Sequence, residues 1–114
     1  MALTVTEIED LRTYLIGVMN RADHHAKKVN EIILALIGAI LWRKNDAEPI
    51  TVMVQKGQTT NVLWVRIHDK RYAFSYGHDK GEIEMREGGT QGPTLHTFTN
   101  ATPLSSIRAI FEAL

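Results

Sequence analysis

The chain has no cysteine, so it carries neither a disulfide framework nor a thiolate, and thiol catalysis is excluded. That absence suits a reducing cytoplasm. Net charge is missing as well: thirteen Lys and Arg balance thirteen Asp and Glu. Without a net field, attraction to nucleic acid, an anionic membrane or acidic partners would need a local patch. Long apolar runs are also absent, because the strongly apolar uncharged stretch from Ile32 to Trp42 has eleven residues, well short of the ~20 needed to cross a bilayer. The opening MALTVTEIEDLRTYL has early acidic residues and no basic region ahead of an apolar run, which is not the pattern of a signal peptide. The expectation is a cytoplasmic protein with no membrane partner.

What is present describes a folded chain. Its 114 residues, 44% hydrophobic and 23% charged, fit one domain over 1–114 with a core of its own. Thr4 with Glu7, or Thr6 with Glu9, matches the capping-box spacing. Ile8, Leu11, Leu15, Val18 and Met19 then recur at helical spacing, so a first amphipathic helix is expected to end near Asn20. Asp23 can cap a second helix from His24 to about Arg43, and it stands four residues before Lys27. From Ile32 that helix is apolar nearly all round, as a covered core helix would be. Ala35, Gly38 and Ala39 form a ridge of small residues along it, open to close approach by a neighbouring helix or another subunit.

After the turn near Pro49 the period becomes two, with Ile50, Val52 and Val54 alternating against Thr51, Met53 and Gln55. Strands follow at 62–67, 71–76 and 82–86. A turn at Asp69 and Lys70 would pair Ile67 with Tyr72 and Val65 with Phe74, and a loop at 77–80 would pair Phe74 with Ile83 and Tyr72 with Met85. In a last strand near Leu95 to Thr99, Leu95 and Phe98 have opposite parity, which invites a bulge. Thr102 and Pro103 read as N-cap and first turn of a closing helix through Ile107, Phe111 and Leu114. The fold class expected is α+β: a helical hairpin, an antiparallel β-meander of about five strands and a C-terminal helix, with the helices on one face of the sheet.

The same registration gathers Val62, Trp64, Arg66, Ala73, Ser75, Glu82, Glu84 and Arg86 on the other face. Cross-strand ion pairs among Arg66, Glu84 and Arg86 account for the charges. They do not account for Trp64, since an exposed indole is costly and tryptophan is enriched at interfaces. Asn30 lies on an apolar stripe with Leu34 and Ile37 and must find hydrogen bonds, from a backbone group or a partner subunit. Trp42, Tyr72, Tyr76 and His78 could line a pocket mouth with Arg43 as an anion contact, although aromatics so placed are more often core.

Asp23, His24 and His25 spell a DHH triplet like that of metal-dependent phosphoesterases, but those motifs sit at the end of a strand with further aspartates, and this one starts a helix. A metal joining His24 or His25 to His78 or His96 and an acid such as Asp23 or Asp79 is chemically feasible. No diagnostic ligand spacing supports it, and caps and turns are the commoner use of such histidines. No cofactor is expected. The basic residues lack any recognition-helix motif or phosphate loop, so nucleic acid is not expected as a partner.

The segments RADHHAKKVNEI, LALIGAILWRK, NVLWVRIHDKRYAFSYGHDKGEIEMREG and FTNATPLSSIRAIFEAL together resemble small proteins encoded on mobile integron gene cassettes of bacteria. That group is defined by genetic origin, so the resemblance implies a bacterial cytoplasmic protein, often self-associating, and transfers no catalytic residues. The function expected is a non-enzymatic homo-oligomeric binding or interaction module, a dimer or tetramer, able to take a small-molecule or protein ligand. The contact candidates are Trp64, Arg66, Glu84, Arg86, Asn30, Trp42, Tyr76 and His78. The alternative is a small metal-assisted hydrolase using His24, His25, His78 or His96.

Overall fold

Period-two alternation across the middle of the chain builds the sheet that everything else rests on. The computed structural model describes residues 2–5, 8–55, 58–77 and 79–114, with the side chains of 2–5, 54–55 and 58–61 left aside. Its elements run β1 (Ala2–Val5), α1 (Ile8–His25), α2 (Ile32–Arg43), β2 (Ile50–Gln55), β3 (Gln58–Ile67), β4 (Lys70–Gly77), β5 (Glu82–Glu87), β6 (Thr94–Phe98) and α3 (Leu104–Glu112). The strands form one antiparallel sheet in the order β1-β2-β3-β4-β5-β6. The α+β class, the meander and the C-terminal helix are as expected.

One face of the sheet carries the core. Ile50, Val52, Leu63, Val65, Ile67, Tyr72, Phe74, Ile83, Met85 and Phe98 are buried there against Tyr14, Val29, Ile33, Leu36, Ile40, Ile107 and Phe111 of the helical layer. Phe74 and Phe111 stack with ring centroids 6.1 Å apart, and α2 lies beside α3.

Among the described residues the sheet has six strands, against the about five expected, because Ala2–Val5 adds one at the edge. Thr4 belongs to β1, its backbone paired with Thr51 along the edge of β2, and α1 starts four residues later at Ile8; Thr6 and Glu7 lie outside the described residues. A β-branched Thr-Val pair satisfies its backbone at that edge. The first helix also runs further than expected, to His25, whose imidazole joins that of His24 in the last turn, where the helix dipole favours positive charge. The second starts only at Ile32.

Both hairpin pairings differ from the expected ones by two residues. The first turn is at His68 and Asp69, with His68 at φ +56, so Val65 faces Tyr72 and Leu63 faces Phe74. In the second, Phe74 faces Met85 and Tyr76 faces Ile83. A slip of two preserves which face each side chain occupies. The first turn is set by Asn45, whose Oδ1 accepts the His68 N–H at 2.7 Å while its Nδ2 donates to the His68 carbonyl at 2.7 Å. The bulge in the last hairpin is present: Met85 faces His96 but Arg86 faces Thr94, leaving Leu95 unpaired and exposed while Phe98 turns inward.

Helix α2 receives its N-terminal cap from a distant loop. Glu31 makes no side-chain cap; instead Asn100 Oδ1 accepts the N–H groups of Glu31 and Ile32, both at 2.9 Å. Asn100 Nδ2 donates to the Lys27 carbonyl at 3.0 Å and to Asn30 Oδ1 at 2.9 Å, and the Asn100 N–H donates to the Lys28 carbonyl at 2.7 Å. Asp23, expected to cap this helix and pair with Lys27, instead accepts a hydrogen bond from Asn30 Nδ2 at 3.2 Å. Thr102 likewise does not cap α3. Pro103 occupies the N-cap, and Thr102 Oγ1 accepts the Thr99 N–H at 3.0 Å.

Replacing Asn100 by Ala should therefore destabilise the protein by about 2–3 kcal/mol, the cost of uncapping a helix and leaving further polar groups unpaired. Urea denaturation would show this as a lower midpoint at unchanged slope; an Asn100→Ala midpoint equal to that of the parent protein would remove the linchpin role.

Candidate functional site

The two faces left over once the core is formed are the outer face of the sheet and the outer side of the α2/α3 layer. On the sheet, Trp64 sits between Thr51 of β2 and Ala73 of β4. Ala73 is fully buried although it points away from the core. The indole is half-buried, with the Arg71 guanidinium 5.3 Å from its ring centre. Arg71 thus supplies cover for an indole that sequence reasoning left bare.

Arg66, Glu84 and Arg86 on this face are paired, but not with one another across strands. Arg86 Nη2 meets Glu84 Oε2 at 3.2 Å along the same strand, and Arg86 Nη1 donates to the Gly92 carbonyl at 2.9 Å. Gly92 has to be glycine, since any side chain there would run into the Glu87 carbonyl. Arg66 reaches Glu48 at 3.6 Å, an exposed pair that contributes little to stability.

The helical layer presents a different surface. Helix α2 is apolar on every side, yet the sheet and α3 cover only part of it, and Leu34, Leu41 and Trp42 remain 54%, 44% and 51% exposed. Leu104 at the start of α3 is 68% exposed. Between the helices lies a shallow groove of about 310 Å³, lined by Ala35, Gly38, Ala39, Trp42, Leu104, Ile107 and Arg108. The small-residue ridge thus faces outward into open space, and a Cβ at Gly38 would meet nothing within 4 Å. Two guanidinium groups flank the indole of Trp42, Arg43 at 5.5 Å and Arg108 at 5.9 Å from the ring centre. Arg43 is itself held by the Leu114 carbonyl, 2.7 Å from Nη2, and Arg108 pairs with Glu112 at 3.5 Å.

The residues expected to act together are thus distributed over three places. Trp64, Arg66, Glu84 and Arg86 do share the outer sheet face. Trp42 stands on the α2/α3 groove, while Tyr72 is buried in the core and Tyr76 is half-buried on β4. Asn30 belongs to the Asn100 network, and His78 lies outside the described residues. His24 and His25 end α1 with rings 6.1 Å apart, His68 is in a turn, and His96 is on the edge strand beside Phe98. Among the described residues, no group of three or more His, Asp and Glu side chains is placed to hold a metal ion, and no helix is long and apolar enough to cross a membrane.

Residues 11–108 match the family described as integron cassette protein VCH_CASS1 chain. The chain belongs to this family. No match is found among curated proteins. The integron cassette family match spans the elements from α1 into α3, including every residue of the α2/α3 groove.

Sequence reasoning missed Leu34, Leu41, Leu104 and Arg108 as surface features of this integron cassette protein. The available signal was the all-round apolarity of Ile32 to Trp42, which exceeds what one sheet and one short helix can cover.

Among titratable groups the largest environmental effect falls on Tyr14, deep in the α1 contact with the core. Burial pushes its phenol up to about 12, with Arg21 opposing the shift. A phenol that ionises near pH 10 in the unfolded chain and near 12 in the folded one leaves stability intact below pH 10. Stability is then lost as pH rises between them, by up to about 3 kcal/mol. Equilibrium unfolding of Tyr14→Phe should show a shallower decline across that window; an identical slope would mean that Tyr14 does not carry it.

Proposed function

We propose that this integron cassette protein is a non-enzymatic, self-associating interaction module of the cytoplasm, and that its contact face is the exposed side of α2 and α3. The observation that carries the reading is the uncovered apolar face of α2. Leu34, Leu41, Trp42 and Leu104 together expose on the order of 400 Å², a size at which an apolar patch on a soluble protein marks a contact site. Tryptophan with neighbouring arginine is also the composition that dominates contact energies.

Self-association is favoured over a charged partner because the chain has no net charge to oppose the approach of a second copy, and the charged groups at the rim include both signs. The cysteine-free sequence suits a reducing compartment. Trp64 supports an interface less well than Trp42 does, since Arg71 and the flanking strands already cover part of its ring.

Light scattering after size exclusion at tens of micromolar should give a mass above one chain. Trp42→Glu should raise the dissociation constant at least ~30-fold, the loss of about 2 kcal/mol or more expected of a desolvated aromatic anchor, while Trp64→Glu should leave assembly nearly unchanged. A monomeric parent protein would overturn the proposal, and dissociation by Trp64→Glu alone would move the interface to the outer face of the sheet.

A further inference from the structure

We infer that two copies of this chain meet across a two-fold axis with Trp42 of each seated over Gly38 of the other. This arrangement rests on the self-association proposed above and specifies its geometry. A two-fold contact requires one surface to be complementary to itself, so any projection must come with its own recess on the same face.

Helix α2 supplies both. Trp42 projects from the exposed side, and one helical turn earlier, ~6 Å along the axis, Gly38 leaves a gap flanked by Ala35 and Ala39. Antiparallel docking of α2 on its copy brings each indole over the other copy's gap, closing both at once. The groove of about 310 Å³ that continues toward Leu104 and Ile107 gives the ring room to enter.

The surroundings fit a second copy of this chain. The centre of the face is apolar, and the cations beside it hold contacts within their own copy: Arg43 Nη2 donates to the Leu114 carbonyl, although its Nε is buried without a partner, and Arg108 pairs with Glu112 at the exposed rim. Arg108 keeps its counter-charge beside it when the copies close, which lowers the usual cost of covering such a face. The four exposed apolar side chains supply about half of the ~800 Å² per partner that is standard for a specific dimer, so the groove and the polar rim must contribute the rest, and the zero net charge leaves no long-range repulsion to overcome. With so modest an area, the affinity depends on the two indole contacts.

The test uses the full chain and two variants. Gly38→Leu fills the recess at a position where an added Cβ has nothing from the packed neighbours within 4 Å, and leucine is a better helix former than glycine, so the far-UV circular dichroism should be unchanged. Its dimer dissociation constant should rise at least thirtyfold. Trp42→Ala removes the projection and should do the same. Mixed in equal amounts, the two variants should then restore a heterodimer. The intact Trp42 of one finds the open recess of the other, and the leucine of the first fills the space above the second's alanine.

A dimeric parent whose Gly38→Leu form stays dimeric, or a mixture that stays monomeric, would overturn this geometry while leaving self-association standing. A monomeric parent would overturn both.

Discussion

The carboxamide of Asn100 is the constraint on which the arrangement of the helices depends. It sits in the short connection between the last strand and the last helix, yet its oxygen caps α2, whose own N-terminal residue offers no side-chain cap. A helix start leaves four N–H groups without partners, and at a half-buried end they must be met by protein. Asn100 meets two of them and, through its amide nitrogen, ties down the turn before α2 as well. Because α3 begins only four residues later, the same contact sets α3 beside α2. The groove and the exposed side of α2 exist because these two helices are held side by side at that distance.

At the other end of α2 a second asparagine performs a matching task. Asn45 brackets the His68 backbone with one donor and one acceptor, so the helix leaves the core at a fixed place on the β3–β4 turn. The pair of asparagines fixes both ends of a helix that has no charged side chain between Ile32 and Trp42 to orient it. Hydrophobic burial is non-directional, and a helix apolar all round could rotate on the sheet at little cost. Polar contacts at its two ends settle which side faces inward.

That division of labour also explains how much of the molecule was legible in the sequence. The face each strand residue occupies follows from alternation alone, and the packed aromatic face with its opposite, Trp64-bearing face is as the pattern indicates. The pairing register was not legible to better than two residues, because a slip of two moves no side chain to the other face. What decides it is Asn45, a residue twenty-three positions away from the turn it grips. The boundary between α1 and α2 was hidden for the same reason: the cap resides at Asn100, beyond the reach of any local motif. The N-terminal strand was obscured by a capping-box pattern that is satisfied on paper by Thr4, whose backbone instead pairs with β2.

The exposed side of α2 follows from counting what stands beside it. An all-round apolar helix is covered on several sides, and Ile32 to Trp42 reads as such a core helix, with a neighbouring helix or another subunit against its small-residue ridge. Among the described elements α1 lies toward β1 and β3, and the neighbours along α2 are one sheet face and the nine-residue α3. They bury Ile33, Leu36 and Ile40 and leave Leu34, Leu41 and Trp42 outside. The arithmetic of faces thus locates the unfilled side without any family knowledge. A chain with more apolar helix surface than its own elements can cover either tolerates the exposure or covers it with something else. Here the uncovered side is lined by a projection and a recess one turn apart, which solvent does not need and a second copy can use.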